Sequence, residues 1–376
     1  MALFGKFQLL EQIGGGRLSQ VFRVTRQAST GGGEPRIALK RVQPTVIGEA
    51  AFVQLVVREG GLLARLSHPN LCLCHEMGVV DGCAFLTLDL VEGCTLRALM
   101  RRTSRMGVEL PSSSIIAIGH QLARALGYLH HECSMPLVHL DLSPQNVMLD
   151  HDGALKLIDF GIARYLDGRN PPPLGGKIAG TVGYMSPEQA SGRTVDARAD
   201  QFGLGILLWE MLAGQRAFRG NTPETWHRMR AGQMPSTRVD AASDLVEIVT
   251  RLLQPSPADR FASMTQVTEQ LESLTSDPLS GMRPLCALVT HLLKDPGFDP
   301  FDVVRRESTA VEPPADIPSG ADPVAAGYAE LSIEVDHGEG TPGSLVRAAV
   351  TGEVDLPDSP FLETIVEAQA TAQIAR

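Results

Sequence analysis

The chain has 376 residues, of which 43% are apolar and 20% charged, and its formal net charge is −10. This size and composition are ordinary for a globular enzyme with a sizeable buried core. The charge is uneven, because residues 301–376 contain 14 acidic and four basic residues and so carry the whole excess. An acidic tail of this kind is typical of a solvated, disordered segment, although it could also bind a basic partner.

Several classes of protein are disfavoured by the sequence. No stretch reaches the ~18 uninterrupted apolar residues that a membrane span needs, and the first residues resemble neither a signal peptide nor a myristoylation site. The six cysteines include no Cys-x-x-Cys pair, so we interpret them as buried thiols in a reducing compartment. No basic, aromatic-interleaved stretch indicates nucleic-acid binding. We therefore expect a cytoplasmic protein with neither a membrane span nor a nucleic-acid partner.

Strands dominate the predicted structure of the first 90 residues. Residues 7–13 and 21–26 alternate in polarity around a glycine-rich loop, which predicts a hairpin. A third strand is predicted at 36–42, and apolar residues at helical spacing predict a helix at 51–66. Two more strands are predicted in the apolar runs before and after the turn Asp81-Gly82, at 71–79 and 84–90.

Helices are predicted from residue 93 onward, at 95–102, 112–131, 204–213, 245–253 and 264–274. The chain is therefore expected to have an α+β fold with two lobes. Beyond residue 293 the sequence is rich in proline and aspartate, which predicts a linker and tail. Two short apolar pieces in this tail, near 331–335 and 361–372, could fold locally or dock on a partner.

The loop of the first hairpin contains the run Ile13-Gly14-Gly15-Gly16, and Val21 follows it in the next strand. Glycine lets backbone N–H groups approach a phosphate closely. A plain hairpin turn would use the same residues. A dinucleotide-binding fold is disfavoured because a strand, not a helix, follows the loop.

A lysine lies inside the third predicted strand, at the end of Ile37-Ala38-Leu39-Lys40. A buried ammonium group needs an anionic partner. Glu59, on the predicted helix that follows, could supply it, and the pair would then hold a lysine against phosphate groups. Lys40 could also be an ordinary edge residue.

Three oxygen-bearing side chains follow in two later motifs. Asp141 and Asn146 lie five residues apart in a predicted loop, and Asp159 lies at the end of the apolar run 155–158. Phosphoryl transfer needs a carboxylate to accept the hydroxyl proton, and an amide and a carboxylate to hold Mg²⁺. These residue types in this order therefore indicate that chemistry.

In order and spacing, these motifs resemble those of the protein kinase family over residues 7–275, and in particular those of bacterial eukaryotic-like serine/threonine protein kinases. The resemblance implies a bilobal fold, with a small antiparallel sheet and one helix at 7–90 and a mainly helical lobe at 93–275. A helical extension would follow at 276–300, and then the acidic, disordered tail.

The resemblance also implies roles for the polar residues. Lys40 would anchor the phosphates of ATP with Glu59 as its partner. Asp141 would be the catalytic base, and Asn146 and Asp159 would bind Mg²⁺ or Mn²⁺.

Further roles follow from the segment 180–188, which resembles the end of a kinase activation segment. Thr181 would orient the catalytic base, and Glu188 would pair with Arg260. Asp200 resembles the buried aspartate that braces the catalytic loop.

The run 88–91 resembles the hinge of a kinase, with Leu88 as gatekeeper. The backbones of Asp89 and Val91 would hydrogen-bond adenine, and Val21, Ala38 and Met148 would sandwich the ring, although these three are equally plausible as core residues. The other residues expected to contact the nucleotide are Ile13, Gly14, Gly15 and Gly16.

The chain departs from the family pattern at three positions. Ser19 replaces the third glycine of the loop, which implies a modest loss of loop freedom. Leu140 replaces the arginine that usually pairs with a phosphorylated activation loop, so we expect activity without that phosphorylation. Ser143 replaces a lysine that contacts the γ-phosphate, which predicts slower turnover or another cation in its place.

The resulting interpretation is an active kinase that signals by phosphorylating serine or threonine on proteins, including itself. The alternative is a pseudokinase, a scaffold that binds ATP but turns it over poorly. Tyrosine specificity is less favoured because of Thr181. A small-molecule kinase is disfavoured because Ser186-Pro187-Glu188 builds a protein-substrate platform in the family.

Overall fold

The computed structural model describes residues 2–15, 19–26, 37–43, 50–166, 179–219, 222–235, 243–301, 331–336 and 345–350. Most of these residues form a small lobe built on a β-sheet and a larger lobe built on helices. The predicted α+β fold with two lobes is therefore confirmed.

The small lobe is an antiparallel sheet with one helix packed on strands β4, β5 and β6. Its strand order is β1-β2-β3-β4-β6-β5. The elements are β1 (Ala2–Phe4), β2 (Phe7–Gly15), β3 (Ser19–Arg26), β4 (Ile37–Val42), α1 (Ala50–Leu63), β5 (Cys74–Val80) and β6 (Cys83–Asp89).

Two features of this lobe differ from the prediction. Strand β1 extends the sheet before residue 7, with Ala2 opposite Leu9. Strand β5 begins at Cys74 and not at residue 71, because the residues before it bind the large lobe. There, Cys72 N donates to Leu157 O of the large lobe at 3.0 Å, while Leu73 O accepts a hydrogen bond from Asp89 N of β6 at 3.0 Å.

The large lobe contains short strands at its top and helices below. Its elements are β7 (Gly93–Thr95), α2 (Leu96–Met106), α3 (Ser112–Gly127), β8 (Leu137–Val138), β9 (Val147–Asp150), β10 (Leu155–Leu157), β11 (Arg164–Tyr165), α4 (Pro187–Ala190), α5 (Arg198–Ala213), α6 (Thr222–Arg230), α7 (Ser243–Leu252), α8 (Met264–Ser273) and α9 (Met282–Leu293). The predicted helix at 112–131 is α3 followed by a π-helical turn at Tyr128–Glu132.

Helix α5 forms the centre of the large lobe, and every residue from Ala199 to Met211 is buried. A helix that is apolar on all sides is stable only inside a core. Its two buried acids, Asp200 and Glu210, are both hydrogen-bonded. Through these two side chains, α5 anchors the loops that carry the site.

Five of the six cysteines are buried. Burial raises the pKa of the Cys74 and Cys94 thiols to about 12, so both remain protonated at neutral pH.

The extension after residue 276 packs along the large lobe. Ser114 Oγ donates to Gly281 O at 2.8 Å, just before α9. Farther on, Thr95 N donates to Pro300 O at 2.9 Å. Residues 282–301 therefore support the start of α2, directly after the segment that joins the lobes.

Two stretches of the acidic tail are strands, β12 (Leu331–Asp336) and β13 (Leu345–Val350), which pair as a hairpin. Strand β12 adds antiparallel to β5, with Leu331 opposite Val79. The apolar piece at 331–335, which could fold locally or dock on a partner, lies in β12, and its alternating sequence pairs with the edge that β5 offers. The apolar piece at 361–372 lies outside the described residues.

Within the part of the chain that the structure describes, no helix is both long and apolar enough to cross a membrane.

Candidate active site

Lys40 lies in the cleft between the lobes, on β4, beside two acids. Its Nζ is 2.8 and 2.7 Å from the carboxylate oxygens of Glu59 and 3.2 Å from Oδ1 of Asp159. Burial alone would lower the pKa of Lys40, but the charges of Asp159 and Glu59 outweigh it and raise the pKa above its usual value. Lys40 is therefore a fixed cation at neutral pH.

Helix α1 is tied to the segment that begins at Asp159. Phe160 N donates to Glu59 Oε1 at 3.3 Å, and Arg58 Nη2 donates to Ala163 O at 2.9 Å. Asp159 itself has φ +65°, a left-handed conformation that costs a non-glycine residue about 1–3 kcal/mol. The contacts with α1 hold this turn in place, and it carries the Asp159 carboxylate to Lys40.

Asp141 is held from both sides. Asn146 Nδ2 donates to its backbone O and to its Oδ2, both at 2.8 Å. Thr181 donates to its Oδ1 from the backbone N at 2.8 Å and from Oγ1 at 2.7 Å. Burial, and then the charge of Asp159, raise the pKa of Asp141 above its usual value. Asp141 is thus oriented and also made a better proton acceptor.

The loop that carries Asp141 is anchored on α5. The Asp200 carboxylate accepts hydrogen bonds from His139 N, Leu140 N and His130 Nε2, each at 2.8 Å. Leu140 has φ +66°, so the loop turns through a strained residue just before Asp141. The two backbone hydrogen bonds to Asp200 fix that turn.

The residues expected around adenine lie on β2, β3, β4 and β9 and in the segment after β6. Ile13, Ala38, Val91 and Met148 are buried, yet they belong to neither apolar cluster of the described residues. Burial outside a core cluster is what residues lining a cleft would show. Val21 is partly exposed.

In the glycine-rich loop, Gly15 has φ +148°, and a Cβ there would lie 2.9 Å from Ser19 O. Glycine is therefore required at this position. Gly14 lies in β2 beside it, whereas Gly16 lies outside the described residues.

The segment after Thr181 is fastened by buried polar pairs. Arg260 donates from Nη1 and Nη2 to the two carboxylate oxygens of Glu188, at 2.7 and 2.9 Å. Tyr184 Oη donates to Glu210 Oε2 at 2.7 Å. Gln189 Nε2 donates to Leu140 O at 2.8 Å, which joins this segment to the catalytic loop.

Sequence reasoning missed His130, Gln189 and Glu210 as supports of the site. A signal existed for Glu210, because a carboxylate inside the apolar run 204–213 must find a partner when buried. Nothing comparable marks His130 or Gln189 in the sequence.

Comparison with known proteins decides the family. Residues 7–271 match the family model of the protein kinase domain. The chain belongs to the protein kinase family.

Similar curated proteins are also kinases. The chain is 30% identical over 287 residues to the tyrosine-protein kinase MasK of Myxococcus xanthus, covering 74% of this chain and 44% of the relative. It is 31% identical over 271 residues to the serine/threonine-protein kinase PknD of Mycobacterium tuberculosis, covering 69% and 38%. It is 27% identical to the probable serine/threonine-protein kinase CPE1738 of Clostridium perfringens, covering 73% and 39%. The chain thus spans less than half the length of these relatives.

In this chain, Leu140 replaces the family's usual arginine with an apolar contact. Leu140 is 6% exposed and forms a small cluster with Val138 and Ala199. The partly buried side chains packed against this cluster are Ile162, Leu166 and Val195. The start of the activation segment is therefore held to the catalytic loop by apolar packing.

The serine and threonine hydroxyl groups of the activation segment are already engaged in hydrogen bonds. Between Asp159 and Glu188, the sequence contains one threonine, Thr181, and one serine, Ser186. Thr181 binds Asp141, and the fully buried Ser186 Oγ accepts a hydrogen bond from Gln189 N, capping α4. Neither residue is placed to carry a regulatory phosphate without breaking these contacts.

Ser143 does not restore the missing cation near the phosphates. It is fully buried, and its Oγ has no hydrogen-bond partner among the described residues.

Protein kinases use ATP and a divalent metal ion, and the side chains of this cleft fit both. Both amide hydrogens of Asn146 are directed to Asp141, which leaves its oxygen as the atom able to bind a metal. Together with the Asp159 carboxylate, this gives two hard oxygen ligands of the kind that Mg²⁺ or Mn²⁺ takes, with phosphate and water completing the shell. Lys40 supplies a cation on the same side of the cleft.

Proposed function

We propose that this protein transfers the γ-phosphoryl group of ATP to serine or threonine hydroxyls of proteins, including its own. The proposal is carried by the pairing of four side chains in the cleft: Asp159 contacts Lys40, and Asn146 contacts Asp141. Phosphoryl transfer depends on positioning and on charge stabilisation, and these are the groups it requires.

Each residue has a distinct task in this proposal. Asp141 accepts the proton of the attacking hydroxyl, and the hydrogen bonds from Thr181 and Asn146 keep its carboxylate oriented for that transfer. Lys40 binds ATP phosphates, and Glu59 keeps it in place. Asn146 and Asp159 would hold Mg²⁺, which neutralises charge on the phosphates when bound.

Serine/threonine specificity rests on the contact between Thr181 and Asp141 and on the names of the relatives from Mycobacterium and Clostridium. The relative from Myxococcus is named a tyrosine-protein kinase, so the acceptor residue must be measured.

The pseudokinase alternative draws on Leu140 and Ser143. It is less well supported, because a scaffold has no physical need for Lys40, Asp141 and Asp159 to be charged and mutually oriented. Turnover should nevertheless be slow, since Ser143 brings no charge to the γ-phosphate.

The test is autophosphorylation with labelled ATP and Mg²⁺, comparing the wild type with Asp141→Asn. The amide is the same size as the carboxylate but cannot accept the proton, so label should appear in the wild type only. Equal labelling of both proteins would rule out Asp141 as the base, and no labelling of the wild type on any protein substrate would favour the pseudokinase. Phosphoamino-acid analysis of the labelled protein distinguishes serine and threonine from tyrosine.

A further inference from the structure

The Asp89 side chain, at the end of β6, is hydrogen-bonded to three residues from two distant parts of the chain. Oδ1 lies 2.8 Å from His75 Nε2 on β5. Oδ2 accepts from Leu73 N at 3.2 Å and from Lys156 Nζ at 3.3 Å, and Lys156 lies on β10 in the large lobe. The carboxylate therefore links the hinge to both lobes.

The backbone around Asp89 strengthens this link. Asp89 N donates to Leu73 O at 3.0 Å, so Leu73 both gives and receives a hydrogen bond with this one residue. Lys156 Nζ also donates to Leu71 O at 3.1 Å. Lys156 thereby joins β10, three residues before Asp159, to the chain that leads into β5.

The charges of this group favour a persistent contact. Burial by itself would raise the pKa of Asp89, but the hydrogen bond from His75 and the charge of Lys156 outweigh it and lower the pKa. The side chains of Asp89 and Lys156 are only 24% and 20% exposed, so water screens their attraction less than at an open surface. Asp89 is thus an ionised carboxylate held beside a lysine.

We propose that Lys156 and His75 are positioning residues for nucleotide binding, which act by fixing the Asp89 carboxylate and with it the hinge backbone between the lobes. The inference rests on the proposed function, because it assumes that the hinge binds the adenine of ATP. His75 lies outside the motifs that identify the family, and Lys156, which lies within the run before Asp159, has no role assigned to it there.

The physical basis is preorganisation. A hinge whose peptide groups are already oriented loses little freedom when adenine binds, whereas a loose hinge must be ordered at that moment. Adenine lies far from the transferred phosphoryl group, so its contacts are nearly equal in the ground state and the transition state. Loosening the hinge should therefore weaken nucleotide binding and raise KM for ATP, while kcat changes little.

The experiment compares the full chain with the variants Lys156→Met, Lys156→Arg and His75→Gln. The control is Lys294→Met, which makes the same replacement at an exposed lysine after α9. The dissociation constant for ADP with Mg²⁺ is measured by calorimetry, KM and kcat by phosphorylation, and folding by thermal unfolding. We expect Lys156→Met to weaken ADP binding about 3- to 10-fold, the range that corresponds to loss of one hydrogen bond of ordinary strength. Lys156→Arg should recover part of the loss, and Lys294→Met should bind as the wild type does.

A double-mutant cycle shows whether Lys156 acts through Asp89. If it does, Lys156→Met should weaken binding clearly less in an Asp89→Asn background than in the wild type. Additive effects would overturn the inference, as would a Lys156→Met variant with unchanged ADP affinity, tighter binding, or a kcat lowered as much as kcat/KM. A wild type that fails to bind ADP would instead overturn the proposed function.

Discussion

Thr181 donates two hydrogen bonds to Oδ1 of Asp141, one from its backbone N and one from its hydroxyl. The other oxygen, Oδ2, accepts from Asn146 Nδ2. One side chain thus sets the orientation of the proposed base from the activation segment, while another sets it from the catalytic loop.

Replacing Thr181 by valine should lower kcat about 10- to 100-fold, because a base displaced from its productive geometry loses most of its benefit. The backbone hydrogen bond would remain, so the loss should be smaller than for Asp141→Asn. Thr181→Ser is the matched control, since it keeps the hydroxyl, and it should retain most activity. Steady-state kinetics with a peptide substrate measure this, and equal losses in both variants would contradict the role assigned to the hydroxyl.

The Asp200 carboxylate makes stability depend on pH. Burial would raise its pKa, but the hydrogen bond from His130 and the nearby charges and N–H groups outweigh burial and lower it. A carboxylate with a lowered folded-state pKa stabilises the fold above its unfolded pKa of about 3.9, and this contribution disappears as pH falls through the folded pKa.

The variant Asp200→Asn should therefore be less stable than the wild type at neutral pH, and the difference should shrink on acidification. Urea unfolding at a series of pH values measures the free energies of both proteins. A difference that is constant from neutral pH to about pH 3, well below the ordinary aspartate pKa, would contradict this assignment.

The apolar contact of Leu140 predicts activity that does not need activation-segment phosphorylation. Treating the wild type with a phosphatase should leave its rate toward a peptide substrate unchanged within about twofold, because Leu140 has no charge to pair with a phosphate. A large loss after treatment, restored by preincubation with ATP, would contradict the prediction.

Introducing the family's arginine at position 140 should destabilise the fold. Leu140→Arg places a charge in the cluster with Val138 and Ala199 and should lower the free energy of unfolding by about 2–4 kcal/mol. Leu140→Met, which nearly conserves volume, should change it by less than about 1.5 kcal/mol. Urea unfolding compares the two.

The ion pair of Glu188 and Arg260 should be needed for folding of the large lobe. Both side chains are almost fully buried, so Arg260→Met leaves an uncompensated carboxylate and should destabilise the protein by about 3–5 kcal/mol. Adding Glu188→Gln should cost less than the sum of the single changes, because it removes the stranded charge. If the changes in the free energy of unfolding, measured with urea, are simply additive, the two side chains are not coupled.

Much of the fold followed from local patterns. Alternating residues marked β2 and β3, an apolar run marked β6, and helical spacing marked α1, because each pattern depends on neighbours along the chain. Strand pairing at the edge of the sheet did not follow from such local patterns. Strand β12 pairs with the open side of β5 as well as with β13, and nothing in the sequence of β12 or β5 specifies the other as partner.

The sequence by itself determined the chemistry of the cleft, since Lys40, Asp141, Asn146 and Asp159 lie in short motifs whose order and spacing can be recognised. Only the tertiary structure decided what holds those groups. Asp89 is hydrogen-bonded to Lys156, 67 residues away in the sequence, and Tyr184 is hydrogen-bonded to Glu210, 26 residues away. Such contacts depend on how the lobes and α5 pack in three dimensions, which no local periodicity encodes.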